Sequence, residues 1–317
     1  MAASDRWRRS PTSGSERRAE PFLAYRDAYT LEWPGHVFPT TKYRDIRARL
    51  LDAGSVRPGD FFEPPDATDD ELRLVHTGEY LARLERMTAS PELGYFEIEA
   101  PVSRGVLDAF RAMAGGTIAV ARAAMAGGFA ANLGGGFHHA FADHGEGFCA
   151  LNDVAIALRA LQREKRIASA AVVDLDVHQG NGTARIFQGD RNVFTFSIHQ
   201  ENNYPPKERS DLDIGLDDGA GDEEYLAALA SALPGILDRK PDVVAYVAGA
   251  DPFVGDQLGG LALTREGLRR RDALLFGACA DRGVPVFATL AGGYSKEPRD
   301  VVEIHVAMVE EGIRRRL

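Results

Sequence analysis

The stretch AAVVDLDVHQGNG, residues 170–182, contains the predicted strand that most clearly indicates the fold class of the chain. Apart from Asp174 and Asp176, its first eight residues are apolar, which is typical of a strand buried on both faces of a parallel sheet. Similar runs occupy residues 129–133, 193–198, 243–248 and 285–290. Between them, residues 106–125, 154–166, 223–233 and 265–281 have helical composition. This alternation predicts an α/β fold with a mainly parallel sheet flanked by helices.

The composition is that of a soluble globular protein. A chain of 317 residues suits one large α/β domain, and no stretch reaches the ~18 consecutive apolar residues of a membrane span. The formal charge of -10 argues against direct nucleic-acid binding, which depends on clusters of Lys and Arg. With only two cysteines, we expect neither a disulfide framework nor a cysteine zinc site, and a cytoplasmic location fits.

The first 20 residues, MAASDRWRRSPTSGSERRAE, differ in composition from the rest. They are rich in Arg and Ser and lack the apolar segment of a secretory signal. Their low hydrophobicity predicts a disordered leader, with a transit peptide as the alternative. The catalytic domain is therefore expected to span residues 21–317.

A metal site is the first chemistry that the motifs predict. If residues 172–178 form a strand, Asp174, Asp176 and His178 point to one face, where burial without a partner would be costly. A divalent cation is the simplest partner, and a polar strand end satisfied by hydrogen bonds is the alternative. Asp251 follows another apolar run and can reach the same edge of the sheet. The set Asp176, His178 and Asp251 leaves a position open for water and substrate, as catalytic zinc requires.

Two further motifs carry candidate catalytic groups. In NLGGGFHHAFADHGEGFC, residues 132–149, His138 and His139 follow three glycines. A lone histidine is more often structural, but an adjacent pair favours general acid and base groups beside a metal-bound water. In LAGGYSK, residues 290–296, Tyr294 follows the last apolar run. Its phenol can donate to a developing oxyanion, although a packed turn tyrosine is the commoner case.

These four segments, in this order, resemble the histone deacetylase family. QGNG, residues 179–182, and GADPFVGDQLGGLALT, residues 249–264, resemble its class IV branch in particular. The likeness runs from about residue 36 to the C-terminus and includes LVHTGEYLARL, residues 74–84. It implies an arginase-like, single-domain fold with a central sheet of about eight strands, and a zinc-dependent amidohydrolase activity.

The resemblance also implies roles for individual residues. One zinc ion per chain would be bound by Asp176, His178 and Asp251. His138 and His139 would be the catalytic histidines, and Tyr294 would polarise the acyl carbonyl. The remaining implied roles are the orientation of His138 by Asp174 and of His139 by Asn181, an acyl-lysine channel lined by Gly147, Phe148 and Tyr204, and a structural K⁺ site formed by Asp174, Asp176, His178, Ser197 and Ile198.

Asn181 is the one departure from the pattern of other zinc deacetylase classes, which carry Asp at this position. An Asn can hold the ring of His139 by a hydrogen bond but adds no negative charge, so it raises the basicity of the ring less than an Asp would. Class IV enzymes show the same Asn. We therefore interpret the site as tuned and active.

The predicted function is hydrolysis of the amide of an N-acylated amine by metal-activated water. Acetyl- or longer acyl-lysine in a protein or peptide and a small acetylpolyamine-like amine present the same amide, so both substrate classes stay open. A binuclear manganese ureohydrolase would need an Asp-x-His-x-Asp run, and here Gly180 stands where that run would continue. A catalytically silent acyl-amine binding protein would have lost a ligand or the tyrosine, and this sequence retains them. Zinc versus iron(II) and the oligomeric state are left open.

Overall fold

The computed structural model describes residues 20–31, 33–39 and 41–316. The predicted leader, residues 1–20, lies outside these ranges except for Glu20.

One parallel sheet forms the centre of the molecule. Its eight strands follow the order β2-β1-β3-β8-β7-β4-β5-β6, and every neighbouring pair is parallel, which confirms the predicted fold class. The strands are β1 (Leu23–Ala24), β2 (Phe61–Phe62), β3 (Phe129–Asn132), β4 (Ala170–Asp174), β5 (Val193–Gln200), β6 (Leu212–Leu216), β7 (Val244–Val247) and β8 (Val286–Thr289).

Helices cover the sheet in two groups that follow from their mutual contacts. The α-helices are α1 (Lys42–Asp52), α2 (Asp69–Leu72), α3 (Gly78–Met87), α4 (Arg104–Gly127), α5 (Asp153–Arg163), α6 (Asn181–Ile186), α7 (Asp222–Leu237), α8 (Arg265–Ala280) and α9 (Pro298–Arg314). Short 3-10 helices span Asp27–Tyr29, Pro58–Asp60 and Pro91–Phe96. Helix α4 packs against α5, whereas α1 packs against α9, α9 against α8, and α8 against α7.

Local sequence explains where two of the longer helices begin. Ser103 and Thr264 precede α4 and α8, and their hydroxyl oxygens accept hydrogen bonds from Val106 N at 3.2 Å and Gly267 N at 2.9 Å. Such caps satisfy N–H groups that the first helical turn leaves without a partner. None of the helices among the described residues is long and apolar enough to cross a membrane.

Strand β4, which begins the stretch at residues 170–182, is shorter than expected. β4 ends at Asp174, so Asp176 and His178 lie in the following loop, and the expectation of a strand over residues 172–178 is wrong. The carboxylates end the strand by accepting backbone N–H groups: Asp174 from Asp176 N at 3.2 Å, and Asp176 from His178 N at 3.0 Å. Asp side chains commonly compete with a strand ladder in this way.

The register of the sheet aligns the carboxyl ends of four strands. Asn132 of β3 pairs with Thr289 of β8, and Thr289 pairs with Val247 of β7. Val247 pairs with Asp174 of β4, which in turn pairs with Ser197 of β5. The loops after β3, β8, β7 and β4 therefore leave the sheet side by side, at the edge where open α/β sheets bind ligands.

Candidate active site

A buried cluster of two carboxylates and one imidazole lies at this edge. Ligand atoms of Asp176, His178 and Asp251 all lie within 4.8 Å of one another. Backbone groups fix both carboxylates, because Gly292 N donates to Asp176 Oδ2 and Val177 N donates to Asp251 Oδ1, each at 2.9 Å. The loop after β4 thus meets the loops after β7 and β8.

The cluster has the donor set and the electrostatics of a metal site. Asp251 is fully buried, and its Oδ2 has no hydrogen-bond partner among the described residues, with His178 Nδ1 3.5 Å away. Burial and the Asp176 carboxylate raise the pKa of Asp251 above its usual range. A bound divalent cation would offset this repulsion, and two carboxylates with one imidazole are ligands that zinc accepts. The residues therefore fit a metal ion.

Gly292 and Gly249 explain how the backbone comes so close to these carboxylates. A Cβ at Gly292 would overlap the Asp251 carboxylate, and one at Gly249 would lie 2.5 Å from Asp176 Oδ2. Only glycine allows this approach.

The predicted histidines lie beside the cluster with their rings adjacent. The ring centroids of His138 and His139 are 4.0 Å apart. His138 Nδ1 is 2.7 Å from Asp174 Oδ2, and His139 Nδ1 is 2.8 Å from Asn181 Oδ1. These are the contacts that the orienting roles implied by the resemblance would require.

The pKa values of the two histidines are shifted in opposite directions. Burial lowers the pKa of His138, but Asp174 and Asp176 outweigh it and raise the value to about 9. Burial and the neighbouring His138 and His178 hold the pKa of His139 well below its usual range. Of the two rings, His139 is therefore the one that stays neutral and can accept a proton.

Tyr294 closes the other side of the site. Its backbone N donates to Asp256 Oδ2 at 2.6 Å, and its ring lies against those of Phe38 and Phe148 at centroid distances of 6.0 and 6.1 Å. Burial, Asp251 and Asp176 raise the pKa of the phenol well above its usual value. The hydroxyl therefore stays protonated and can donate a hydrogen bond.

A pocket of about 170 Å³ leads to these groups. Tyr204 forms part of its wall, with its ring centroid 5.4 Å from that of His139 and 6.1 Å from that of His178. Gly147 has a φ of +52°, and a Cβ there would lie 2.6 Å from the His139 ring. The lining residues are Glu99, His139, Gly147, Phe148, His178, Asn203, Tyr204, Leu258 and Tyr294.

A larger cavity, of about 690 Å³, lies elsewhere, around the amino ends of β4 and β5. Residues 169–171 and 189–194 line it, and none of the predicted site residues does. Since the titratable groups converge on the smaller pocket, we assign the chemistry to that pocket.

The residues predicted for a structural K⁺ site also lie at this edge. Asp174 and Ser197 are register partners, and Ile198 follows in β5. The hydroxyl of Ser197 is 2.9 Å from His199 Nδ1. The K⁺ site stays a prediction.

A buried arginine that the sequence did not point to lies beneath the cluster of Asp176, His178 and Asp251. Arg271 of α8 is fully buried and donates to Leu175 O at 3.1 Å and to Gly249 O at 2.7 Å. It therefore ties together the loops that carry Asp176 and Asp251. Its neighbour Asp272, also fully buried, lies 2.9 Å from its Nη2.

No pattern in the sequence could have identified Arg271, because it stands in the run RRRD, which is typical of an exposed helix face. Four other residues near the pocket were also missed. Leu258 lies within a motif that the sequence singled out, but nothing there marked it as a pocket residue. The four are Glu99, Glu146, Asn203 and Leu258.

Comparison with known proteins identifies the family of the chain. Residues 36–309 match the model of the family described as "Histone deacetylase domain". The chain is 44% identical to an uncharacterized protein of Picosynechococcus sp. over 272 residues, 85% of this chain and 90% of that protein. It is 31% identical to histone deacetylase 2 of Arabidopsis thaliana over 88% of this chain and 76% of the relative. The crystal structure of the HDA15 HD domain superposes with a TM-score of 0.80 at 26% identity, covering 92% of this chain and 90% of that one. The chain therefore belongs to the histone deacetylase family and is a hydrolase that acts on amide bonds.

Proposed function

We propose that this chain is a zinc-dependent deacylase, of class IV type, whose substrate is an acylated lysine of a protein or peptide. The convergence of Asp176, His178 and Asp251 with a neutral histidine and a protonated tyrosine at one narrow pocket carries the proposal. These three side chains would hold the ion. When bound, zinc polarises the acyl carbonyl and lowers the pKa of a water molecule toward ~7.

His139 acts as the general base and then as the general acid. Its Nδ1 is engaged with Asn181 Oδ1, which leaves Nε2 as the proton acceptor. It takes the proton of the attacking water and returns it to the departing amine. His138 is oriented by Asp174, whose carboxylate favours the protonated ring, and it helps to stabilise the negative charge that develops beside it.

Tyr294 stabilises the oxyanion by donating a hydrogen bond from its hydroxyl. Such a preorganised donor typically contributes about 3–4 kcal/mol to the transition state. The aromatic rings of Phe148 and Tyr204 line the pocket and suit the aliphatic part of a lysine side chain.

A small acylated polyamine is the second candidate, and the charge at the pocket supports it. The Tyr204 hydroxyl donates to Glu99 Oε1 at 3.3 Å, and the carboxylates of Glu146 and Glu99 both help to raise the pKa of Tyr204, after burial. Two carboxylates beside the pocket would attract the additional ammonium groups of a polyamine.

The test is a panel of three substrates: an acetyl-lysine peptide, a myristoyl-lysine peptide and an acetylated polyamine. Purified protein is assayed with and without added zinc, with Tyr294→Phe as the matched control. We expect zinc-dependent release from a lysine peptide, abolished by Tyr294→Phe. Preference for the polyamine would favour the second candidate, and no turnover by protein with one zinc per chain would contradict both.

A further inference from the structure

Asn181 contacts a carboxylate on the side away from His139. Its Nδ2 donates to Glu146 Oε2 at 3.0 Å, while its Oδ1 is 2.8 Å from His139 Nδ1. The three side chains therefore form a chain of hydrogen bonds that runs from the catalytic ring to a half-buried carboxylate.

Two contacts fix the direction of every bond in this chain. A carboxylate only accepts, so the atom of Asn181 that faces Glu146 is the amide nitrogen. Gly182 N, which only donates, lies 3.0 Å from Asn181 Oδ1 and requires the same orientation. The amide oxygen therefore faces His139, which must carry its proton on Nδ1.

The fold holds Glu146 in this position. Glu146 N donates to Cys149 O at 3.2 Å, and Cys149 N donates to Glu146 O at 2.8 Å, so the residue begins the tight turn that also presents Gly147 and Phe148 to the pocket. Asn181, by contrast, begins α6. The contact between Glu146 and Asn181 thus joins the turn that carries Gly147 and Phe148 to the first residue of α6.

We propose that Glu146 is a positioning residue for His139 and supplies, through the Asn181 amide, the negative charge that Asn181 itself lacks. The inference rests on the proposed role of His139 as the general base. A charged acceptor on Nδ2 polarises the amide and strengthens the bond that its oxygen accepts from His139, because hydrogen bonds in series reinforce one another. An Asn and a Glu together then do what a single Asp does when it contacts the ring directly.

The first variant is Glu146→Gln, which keeps the length and an accepting oxygen but removes the charge. Since hydrogen bonds to charged groups are roughly twice as strong as neutral ones, we expect kcat to fall about tenfold with KM within about twofold of wild type. In zinc-loaded protein labelled with ¹⁵N-histidine, the proton on His139 Nδ1 should resonate upfield of its wild-type position. His139→Gln assigns that signal by its loss.

The matched control is Glu99→Gln. It removes the other carboxylate near the Tyr204 hydroxyl, but Glu99 has no contact with Asn181 among the hydrogen bonds of the described residues. In the Glu99→Gln variant, the signal of the proton on His139 Nδ1 should keep its wild-type position. A shift as large as that of Glu146→Gln would mean that general pocket electrostatics, not the Asn181 contact, moves the signal.

The decisive variant is Asn181→Asp combined with Glu146→Gln, which moves the carboxylate into direct contact with His139. We expect it to recover most of the lost kcat and to return the proton signal downfield. Asn181→Asp alone should do worse than the double variant, because it places two carboxylates side by side.

Failure to recover, or a Glu146→Gln variant with unchanged kcat and unchanged signal, would overturn the proposal. The proton signal is measured without turnover. Loss of the proposed function therefore cannot be mistaken for loss of this contact.

Discussion

Replacement of Arg271 by Met should destabilise the protein strongly. The guanidinium is fully buried and donates to the carbonyls of Leu175 and Gly249, and it is paired with the equally buried Asp272. Met has a comparable apolar stem but no donor. The variant would leave Asp272 without its cation, with Tyr246 OH as the remaining donor to that carboxylate.

Breaking a buried pair by removing one partner typically costs about 3–5 kcal/mol, and we expect that loss in the free energy of unfolding. Burial already raises the pKa of Asp272, although Arg271 opposes the shift. Without Arg271 this pKa should rise further. Because a raised carboxyl pKa gives stability that is lost as pH rises, the deficit of the variant should be smaller at pH 5 than at pH 8.

Urea unfolding at these two pH values measures the deficit, with Asp272→Asn and the double variant completing a mutant cycle. We expect a coupling energy of about 2 kcal/mol or more between the two residues. Zinc content should fall in the Arg271→Met variant, because the loops that carry Asp176 and Asp251 lose their common anchor. A loss below about 1 kcal/mol, equal at both pH values, would refute the reasoning.

Three further outcomes follow from the site and its surroundings. Tyr294→Phe should lower kcat about 100- to 1000-fold while metal analysis still finds zinc, and a variant within about tenfold of wild type would contradict the oxyanion role. Gly292→Ala should lose zinc affinity in a chelator competition, because its Cβ would overlap the Asp251 carboxylate; unchanged affinity would show that the loop can relax. Burial lowers the pKa of His76 from 6.5 to about 4. The unfolded chain therefore binds the proton first, and roughly 3 kcal/mol of stability, present above pH 6.5, is lost as pH falls toward 4. In urea unfolding, His76→Gln should flatten the dependence of the free energy of unfolding on pH. An unchanged slope would contradict the role of His76.

The central part of the fold was predictable because its strands are buried on both faces. The five apolar runs correspond to β3, β4, β5, β7 and β8, with bounds that differ by at most three residues. Strands β1 and β2 have two residues each, and β6 contains Asp213 and Gly215, so none of them forms a continuous apolar run. β2 and β6 are the edge strands of the sheet, which need less burial and leave a weaker pattern, whereas β1 lies inside the sheet and is too short to form such a run.

The residues of the site also differ in whether the sequence could predict them. Asp251 and Tyr294 follow predicted strands, and Asp176 and His178 belong to the predicted strand over residues 172–178. The common edge of a parallel sheet brings the four together. Glu146 and Arg271 act through contacts with residues far away in the chain, which depend on how loops and helices dock. Their immediate neighbours in sequence contain no sign of those contacts.

The order of the strands has a consequence for synthesis on the ribosome. β3 pairs on one side with β1 and on the other side with β8. In the second pairing, the register partner of Phe129 is Val286, which is synthesised more than 150 residues later. At typical elongation rates of about 5–20 residues per second, that side of β3 stays unpaired for roughly 8–30 s. During this interval the nascent chain exposes an apolar strand edge, which chaperones could bind and which makes truncated chains prone to aggregate.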